Sequence, residues 1–117
     1  MTSIPSYPHS YRVGWISAVR TEYVIACELL DEEFSRPQLD LQHDNNAYTF
    51  CRIGHHNVVL ACLPKGNYGL SPATAVAKDM CRSFQLNFLF MVGIGGGAPT
   101  EENDIRLGDI VVSCPAE

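Results

Sequence analysis

Asn87-Phe88-Leu89-Phe90-Met91-Val92-Gly93-Ile94-Gly95-Gly96-Gly97-Ala98-Pro99 decides how this chain is read. An apolar run fit for a fully buried strand empties into a loop with almost no side chains. Glycine there frees backbone N–H groups to face a ligand, and lets that ligand approach the main chain closely. Shortly afterwards Leu107-Gly108-Asp109-Ile110-Val111-Val112-Ser113 gives a second strand signal. Strand, glycine loop, short acidic connection, strand is the outline of a small-molecule pocket at the carboxyl edge of an α/β sheet.

Working outward, residues 11–18 are strand-like and end in the small Ser17 and Ala18. Thr21 suits a helix N-cap, with Glu22 in the first turn beside the positive dipole end. That helix is expected to run to about Phe34, burying Val24, Ala26, Cys27, Leu30 and Phe34, and to stop at Arg36-Pro37. Residues 37–47 read as a polar surface loop, and residues 48–53 and 57–63 as two strands of a hairpin turned by Gly54-His55-His56. Ser71-Pro72 starts a second helix, whose apolar stripe is Ala73, Val76, Ala77, Met80 and Phe84 and whose end lies near Ser83. The expected order is β-α-β-β-α-β-β, a three-layer αβα domain with a mixed central sheet. Residues 58–61 and 88–92 lack polar alternation, so both are expected inside the sheet with helices on both faces. Residues 1–10, with Pro5 and Pro8, read as a flexible leader to a single domain over 11–117.

Composition narrows the function. Thirteen acidic against eight basic residues give a net charge of −5, and no Lys/Arg cluster offsets it, which argues against nucleic acid. No apolar stretch approaches a membrane span, and no secretory signal opens the chain. The five cysteines are odd in number and contain no C-x-x-C, so reduced thiols in a cytoplasmic protein are expected, with no metal site and no cofactor. His55 and His56 are adjacent and read as turn residues, not ligands.

Gly93-Ile94-Gly95-Gly96-Gly97-Ala98 formally fits the dinucleotide fingerprint G-x-G-x-x-A, but that fingerprint must open a helix. Here Pro99 and Thr100 follow, then Glu101, Glu102 and Asp104, carboxylates that would repel a diphosphate, and the Lys-Ser/Thr of a P-loop is missing. Glycines that merely permit tight packing remain an alternative.

The joint pattern carries more. Val13-Gly14-Trp15-Ile16-Ser17-Ala18-Val19-Arg20-Thr21-Glu22, then Gly69-x-Ser71, then Val92 to Pro99, then Leu107 to Ser113, in this order, resembles the purine nucleoside phosphorylase / uridine phosphorylase superfamily. The likeness is strongest to its methylthioadenosine/S-adenosylhomocysteine nucleosidase branch, and to the nucleoside-phosphorylase-type domain that many fungal proteins carry ahead of NTPase and repeat modules. The resemblance implies a nucleoside lying across strand ends, with phosphate as a possible co-substrate. It implies that Glu22 helps activate the attacking water near the sugar, that Gly93, Ile94, Gly95 and Gly96 line the ribose side, and that Gly69 and Ser71 line a neighbouring loop-to-helix junction. Taken alone, Glu22 is better explained as a first-turn residue complementing the helix dipole, and Ser71 as a plain N-cap; the family pattern tips Glu22 towards function. The resemblance also implies a homo-oligomer.

Two departures qualify it. Phosphorylases of the family usually place an arginine before the glycine loop and often a serine within it, where this chain has Met91 and Ile94. An apolar pair cannot hold a phosphate, so hydrolysis, or binding without turnover, is expected over phosphorolysis. The family's later half, with its base-recognition residues and proton-donating aspartate, has no counterpart through Glu117, so the chain is expected to be the N-terminal half of such a domain. The expected function is therefore nucleosidase or nucleoside phosphorylase chemistry on the N-glycosidic bond of purine nucleosides, once completed. The alternative is a non-catalytic nucleoside-sensing or protein-interaction module derived from that fold.

Overall fold

The computed structural model describes residues 10–35, 46–64, 66, 70–95, 98–102 and 104–113. In chain order the elements are β1 (Val13–Ser17), α1 (Arg20–Leu29), β2 (Glu32–Phe34), β3 (Tyr48–Ile53), β4 (His56–Cys62), α2 (Leu70–Ser83) and β5 (Phe88–Met91). They build one five-stranded sheet in the order β2-β3-β4-β1-β5. β1 pairs parallel with both β4 and β5, while β2-β3 and β3-β4 are antiparallel, so the sheet is mixed.

The strand period sorts the core onto two faces. Val59 and Ala61 of β4, Ile16 of β1 and Phe50 of β3 meet Val76, Met80 and, just past its end, Phe84 of α2. Val58 and Leu60 of β4, Trp15 of β1 and Cys51 of β3 meet Ala26, Tyr23 and Cys27 of α1. The two helices therefore cover opposite faces, giving the expected three layers. On the α2 face Tyr11, Tyr48, Phe50 and Phe84 form an aromatic cluster with ring centroids 5.1 to 6.2 Å apart. Tilted and edge-on pairs of this kind add roughly 0.5–1.5 kcal/mol each beyond burial.

The β3-β4 hairpin, the α2 stripe and its end at Ser83 match the expectation. The turn is Gly54-His55, with Gly54 at φ +62, a conformation that favours glycine, and His56 already pairing with Ile53. Helix α2 begins at Leu70, two residues before the expected first helical residue Pro72, so Ser71 lies within its first turn and is not its N-cap.

Four expectations are corrected. Helix α1 stops at Leu29 instead of near Phe34, and Val24 is half exposed. Residues 31–34 are drawn into the sheet instead: Asp31 N–H donates to Arg52 O at 2.8 Å, Asp31 Oδ2 accepts from Gly54 N–H at 2.6 Å, and Phe34 pairs with Phe50. Pairing and aromatic burial outweigh the helical period, which cannot report a long-range partner. Thr21 is not the N-cap; Val19 holds that position. Strand β5 is an edge strand, with Phe88 61% and Phe90 46% exposed, because no helix covers its α1 side. Residues 110–113 form no strand: Ile110, Val111 and Val112 are exposed, and apolar β-branched side chains without a neighbouring strand have no ladder to join. Residues 1–9 of the leader, the Arg36-Pro37 stop, most of the 37–47 loop, Gly69, Gly96 and Cys114 lie outside the described residues.

Cys27, Cys51, Cys62 and Cys81 are free thiols, and Cys51 is buried whereas Cys81 is exposed. Burial, with Cys27 and Glu33 nearby, pushes the Cys51 thiol up to about 12 from 9.0; burial likewise pushes the Tyr11 phenol up to about 12 from 10.0. Both groups fold in their neutral forms, so their contribution is full below the unfolded values and is lost as pH rises towards about 12. Stability to urea is expected to be flat from neutral pH to about 9 and to fall above it. A disulfide reagent is expected to label Cys81 first and Cys51 only on unfolding, which timed labelling with mass spectrometry checks.

Candidate functional site

The sheet register brings three strand ends together. Ser17 lies opposite Cys62, and Ile16 opposite Met91. Leu63 N–H donates to Ser17 O at 3.0 Å, and Val92 N–H donates to Ile16 O at 2.9 Å, so the loops leaving β4 and β5 are tied to the end of β1. From the adjacent strands β1 and β4 the chain departs to opposite faces, through α1 and α2. Such a switch point opens a crevice at the carboxyl ends of the strands, where ligands of open α/β sheets bind.

Glu22 stands at that edge. Its Oε1 accepts from the N–H groups of Ala18 and Val19, each at 3.2 Å, and its Oε2 accepts from Ile94 N–H at 2.6 Å. Val19 has no side-chain acceptor for the first helical amides, so Glu22, at the third position of α1, supplies the reciprocal half of a capping box. The same carboxylate reaches the glycine loop 72 residues away in sequence. Gly93 lets it lie there: a Cβ at that position would stand 2.6 Å from Oε2 and 3.1 Å from Cδ. A carboxylate receiving backbone N–H donors makes charge-assisted bonds, stronger than neutral ones.

Of the residues expected in the site, the structure thus joins Glu22, Gly93 and Ile94. A Cβ at Gly95 would meet nothing within 4 Å, so open space lies beside the loop. The Ile94 side chain is 75% exposed. Ser71 is the second residue of α2, on the face opposite α1, where it borders a shallow depression with Thr74, Ala75, Lys78, Asp79 and Arg82 along the outer side of that helix. Ser71 is therefore not brought to Glu22 in the way Gly93 is.

Sequence reasoning missed two features. The loop is gripped through a main-chain donor, Ile94 N–H, which no side-chain pattern announces, although a Glu in the first turn is a capping signal that points to half of the arrangement. Ser17 is fully buried at the end of β1, and its hydroxyl has no hydrogen-bond partner among the described residues. Opposite it, burial raises the Cys62 pKa, Arg20 lowers it and Glu22 raises it, so at neutral pH Cys62 is a thiol and no thiolate nucleophile. The Tyr23 hydroxyl is hydrogen-bonded to Thr49, and burial raises its pKa. Among the described residues no group of His, Cys, Asp and Glu is placed to hold a metal ion, and no helix is long and apolar enough to cross a membrane.

With this geometry in hand, the chain can be set beside known proteins. It is similar to a nucleotide-binding leucine-rich repeat (NLR)-like protein of Hyaloscypha variabilis, with 48% identity over 110 residues. That match covers 93% of this chain and 11% of the relative, so the chain spans little more than a tenth of the protein it resembles. No family model and no solved structure matches the chain.

Replacing Glu22 by Ala leaves three backbone donors without their acceptor. It is expected to cost about 1–2 kcal/mol, on the scale of a lost helix cap. The amides of Ala18, Val19 and Ile94 are expected to exchange at least roughly tenfold faster, in step with that energy. Hydrogen exchange resolved by residue checks this; unchanged Ile94 exchange would disconnect the loop from α1.

Proposed function

We propose that this chain is a nucleoside-binding α/β domain of the nucleoside phosphorylase type, directed at the N-glycosidic bond of purine nucleosides. The observation that supports the reading is the 2.6 Å bond from Ile94 N–H to Glu22 Oε2, which joins a carboxylate to a side-chain-poor loop at the carboxyl edge of the sheet. In glycosidic cleavage, water attacks the anomeric carbon, the bond to the base nitrogen breaks, and the base leaves with a proton. The sugar passes through an oxocarbenium-like centre. A carboxylate beside that centre favours its positive charge and can accept the proton of the attacking water. Oε1 is filled by its two backbone donors, whereas Oε2 accepts one and has acceptor capacity left for a water proton.

Hydrolysis is preferred to phosphorolysis. Neither Met91 nor Ile94 offers a cation to a phosphate, and residues 83–100 contain no Lys or Arg at all. The free thiols support a cytoplasmic setting. The name of the relative, which joins nucleotide binding to leucine-rich repeats, supports placing this domain within a larger multi-domain protein, as the fungal nucleoside-phosphorylase-type domains are.

A second reading, a non-catalytic sensing or interaction module, has its own support. Three backbone donors already hold Glu22, so the carboxylate has a structural task sufficient to explain its position. Incubating a full-length version, in which this chain is completed by its C-terminal half, with adenosine or methylthioadenosine separates the two. Adenine release that phosphate does not stimulate, and that falls at least a hundredfold in Glu22→Gln, on the scale of a lost general base, is the expected result for hydrolysis. Calorimetric binding without release selects the sensing module. Phosphate-stimulated release would overturn the preference for water, and neither binding nor release of any nucleoside would remove the nucleoside reading altogether.

A further inference from the structure

Helix α2 carries a charged surface that the crevice does not use. Its outer side holds a shallow depression of about 470 Å³ that runs from Ser71 to Arg82. At 1.5 Å per residue that stretch is roughly 16 Å long. Lys78 and Arg82 line it one turn apart, both exposed. Neither forms an ion pair among the described residues, whereas Arg52 and Arg106 do. Like charges at this spacing repel and weaken a helix. Arg82, in the last turn, is compensated by the helix dipole; Lys78 lies a turn further in, where that effect has faded. The carboxylate in the depression, Asp79, is already engaged, its Oδ2 accepting from Asn46 Nδ2 at 3.1 Å.

We propose that this depression docks a short, extended acidic segment of a partner protein, with two carboxylates two residues apart. The spacing follows from the helix. Lys78 and Arg82 are separated by a rise of about 6 Å. Side chains two apart on an extended strand share one face and are about 6.6 Å apart, so each carboxylate meets one cation. Four or five extended residues span the whole depression. At its other end the Ser71 hydroxyl can donate to a carbonyl of the same segment.

Charge complementarity selects this occupant. A basic or apolar segment would cover the two cations without pairing them, at a desolvation cost. A long polyanion such as a nucleic acid would run past the two cations onto the acidic remainder of a molecule with net charge −5. A segment with two carboxylates touches the positive stretch and little else. None of this rests on the nucleoside reading.

Fluorescence anisotropy of a labelled glycine-serine peptide carrying two glutamates separated by one glycine tests the proposal. Saturable binding to the 117-residue chain, weakened by salt, is the expected result. Lys78→Glu and Arg82→Glu are each expected to weaken it at least roughly tenfold, because a like charge then faces each carboxylate. The double substitution Lys78→Gln with Arg82→Gln keeps the test open should a reversal disturb the helix, and is expected to weaken binding as well. Arg106→Glu, elsewhere on the chain, is expected to change nothing, and a peptide with glutamines in place of both glutamates is expected not to bind. The proposal is overturned by an absence of saturable binding, by binding that survives the α2 substitutions, or by equal binding of the glutamine peptide. Tighter binding of a single-stranded oligonucleotide would overturn it in favour of a nucleic acid. Binding shown by the chain but lost in a full-length version would do so too, by placing the occupant in the same polypeptide.

Discussion

Strand β1 is the constraint on which the rest depends. It is paired in parallel on both sides, and parallel pairing forces the neighbouring strands to finish at the same edge as itself. Three loops therefore start side by side: the turn into α1 after Ser17, the segment after Cys62 and the glycine run after Met91. Because α1 and α2 then pass to opposite faces, this edge is a topological switch point, the place where open α/β sheets bind ligands. Antiparallel pairing at either flank of β1 would send one of these loops to the far side of the sheet.

Glu22 turns that proximity into a bonded contact. The residue sits in the first turn of α1 and folds back to accept from the N–H groups of Ala18 and Val19 just ahead of the helix, and the same carboxylate reaches the glycine loop. One carboxylate thus completes a helix end and fixes the course of a loop. Gly93 is the matching half, since any side chain there would occupy the carboxylate's position. This dual engagement bears on function from both directions. It aims an anionic group at the crevice with little freedom to turn, as an active-site base needs, and it also gives that group a purely architectural purpose. The chemistry that decides between the two is leaving-group activation, and Glu22 by itself supplies only the water side of it.

The packing is uneven in a way that follows from the same topology. Helix α2 joins β4 to β5 across β1 and covers that face, burying Val76 and Met80 with Phe84 at its end. Helix α1 connects β1 to the opposite flank, towards β2, and so leaves the other face of β5 bare. Exposed Phe88 and Phe90 are the consequence. The edge at β2 carries glutamates and the edge at β5 carries phenylalanines, so the charge and apolar character of the sheet are separated to its two ends.

Much of this was legible from residue order. The α2 stripe of Ala73, Val76, Ala77, Met80 and Phe84, the Gly54 turn and the strand into a glycine loop are local signals, set by period, by capping and by the φ that glycine tolerates. Glu22 and Gly93 were both identifiable as residue types suited to a crevice. What period and propensity could not contain is partnership. Residues 32–34 read as helix until β3 offers them a ladder and Phe50 a ring to pack on. Residues 110–112 read as strand and have no ladder to join. Residues 88–91 read as interior and lie at an edge, because a run of apolar side chains reports affinity for burial and not which neighbours will provide it. The sequence alone determined the strands at 13–17, 48–53, 56–62 and 88–91, the second helix and the side-chain-free loop. Only the tertiary structure decided that the N–H of residue 94 donates to the carboxylate of residue 22 at 2.6 Å, because that contact depends on which strands stand beside β1.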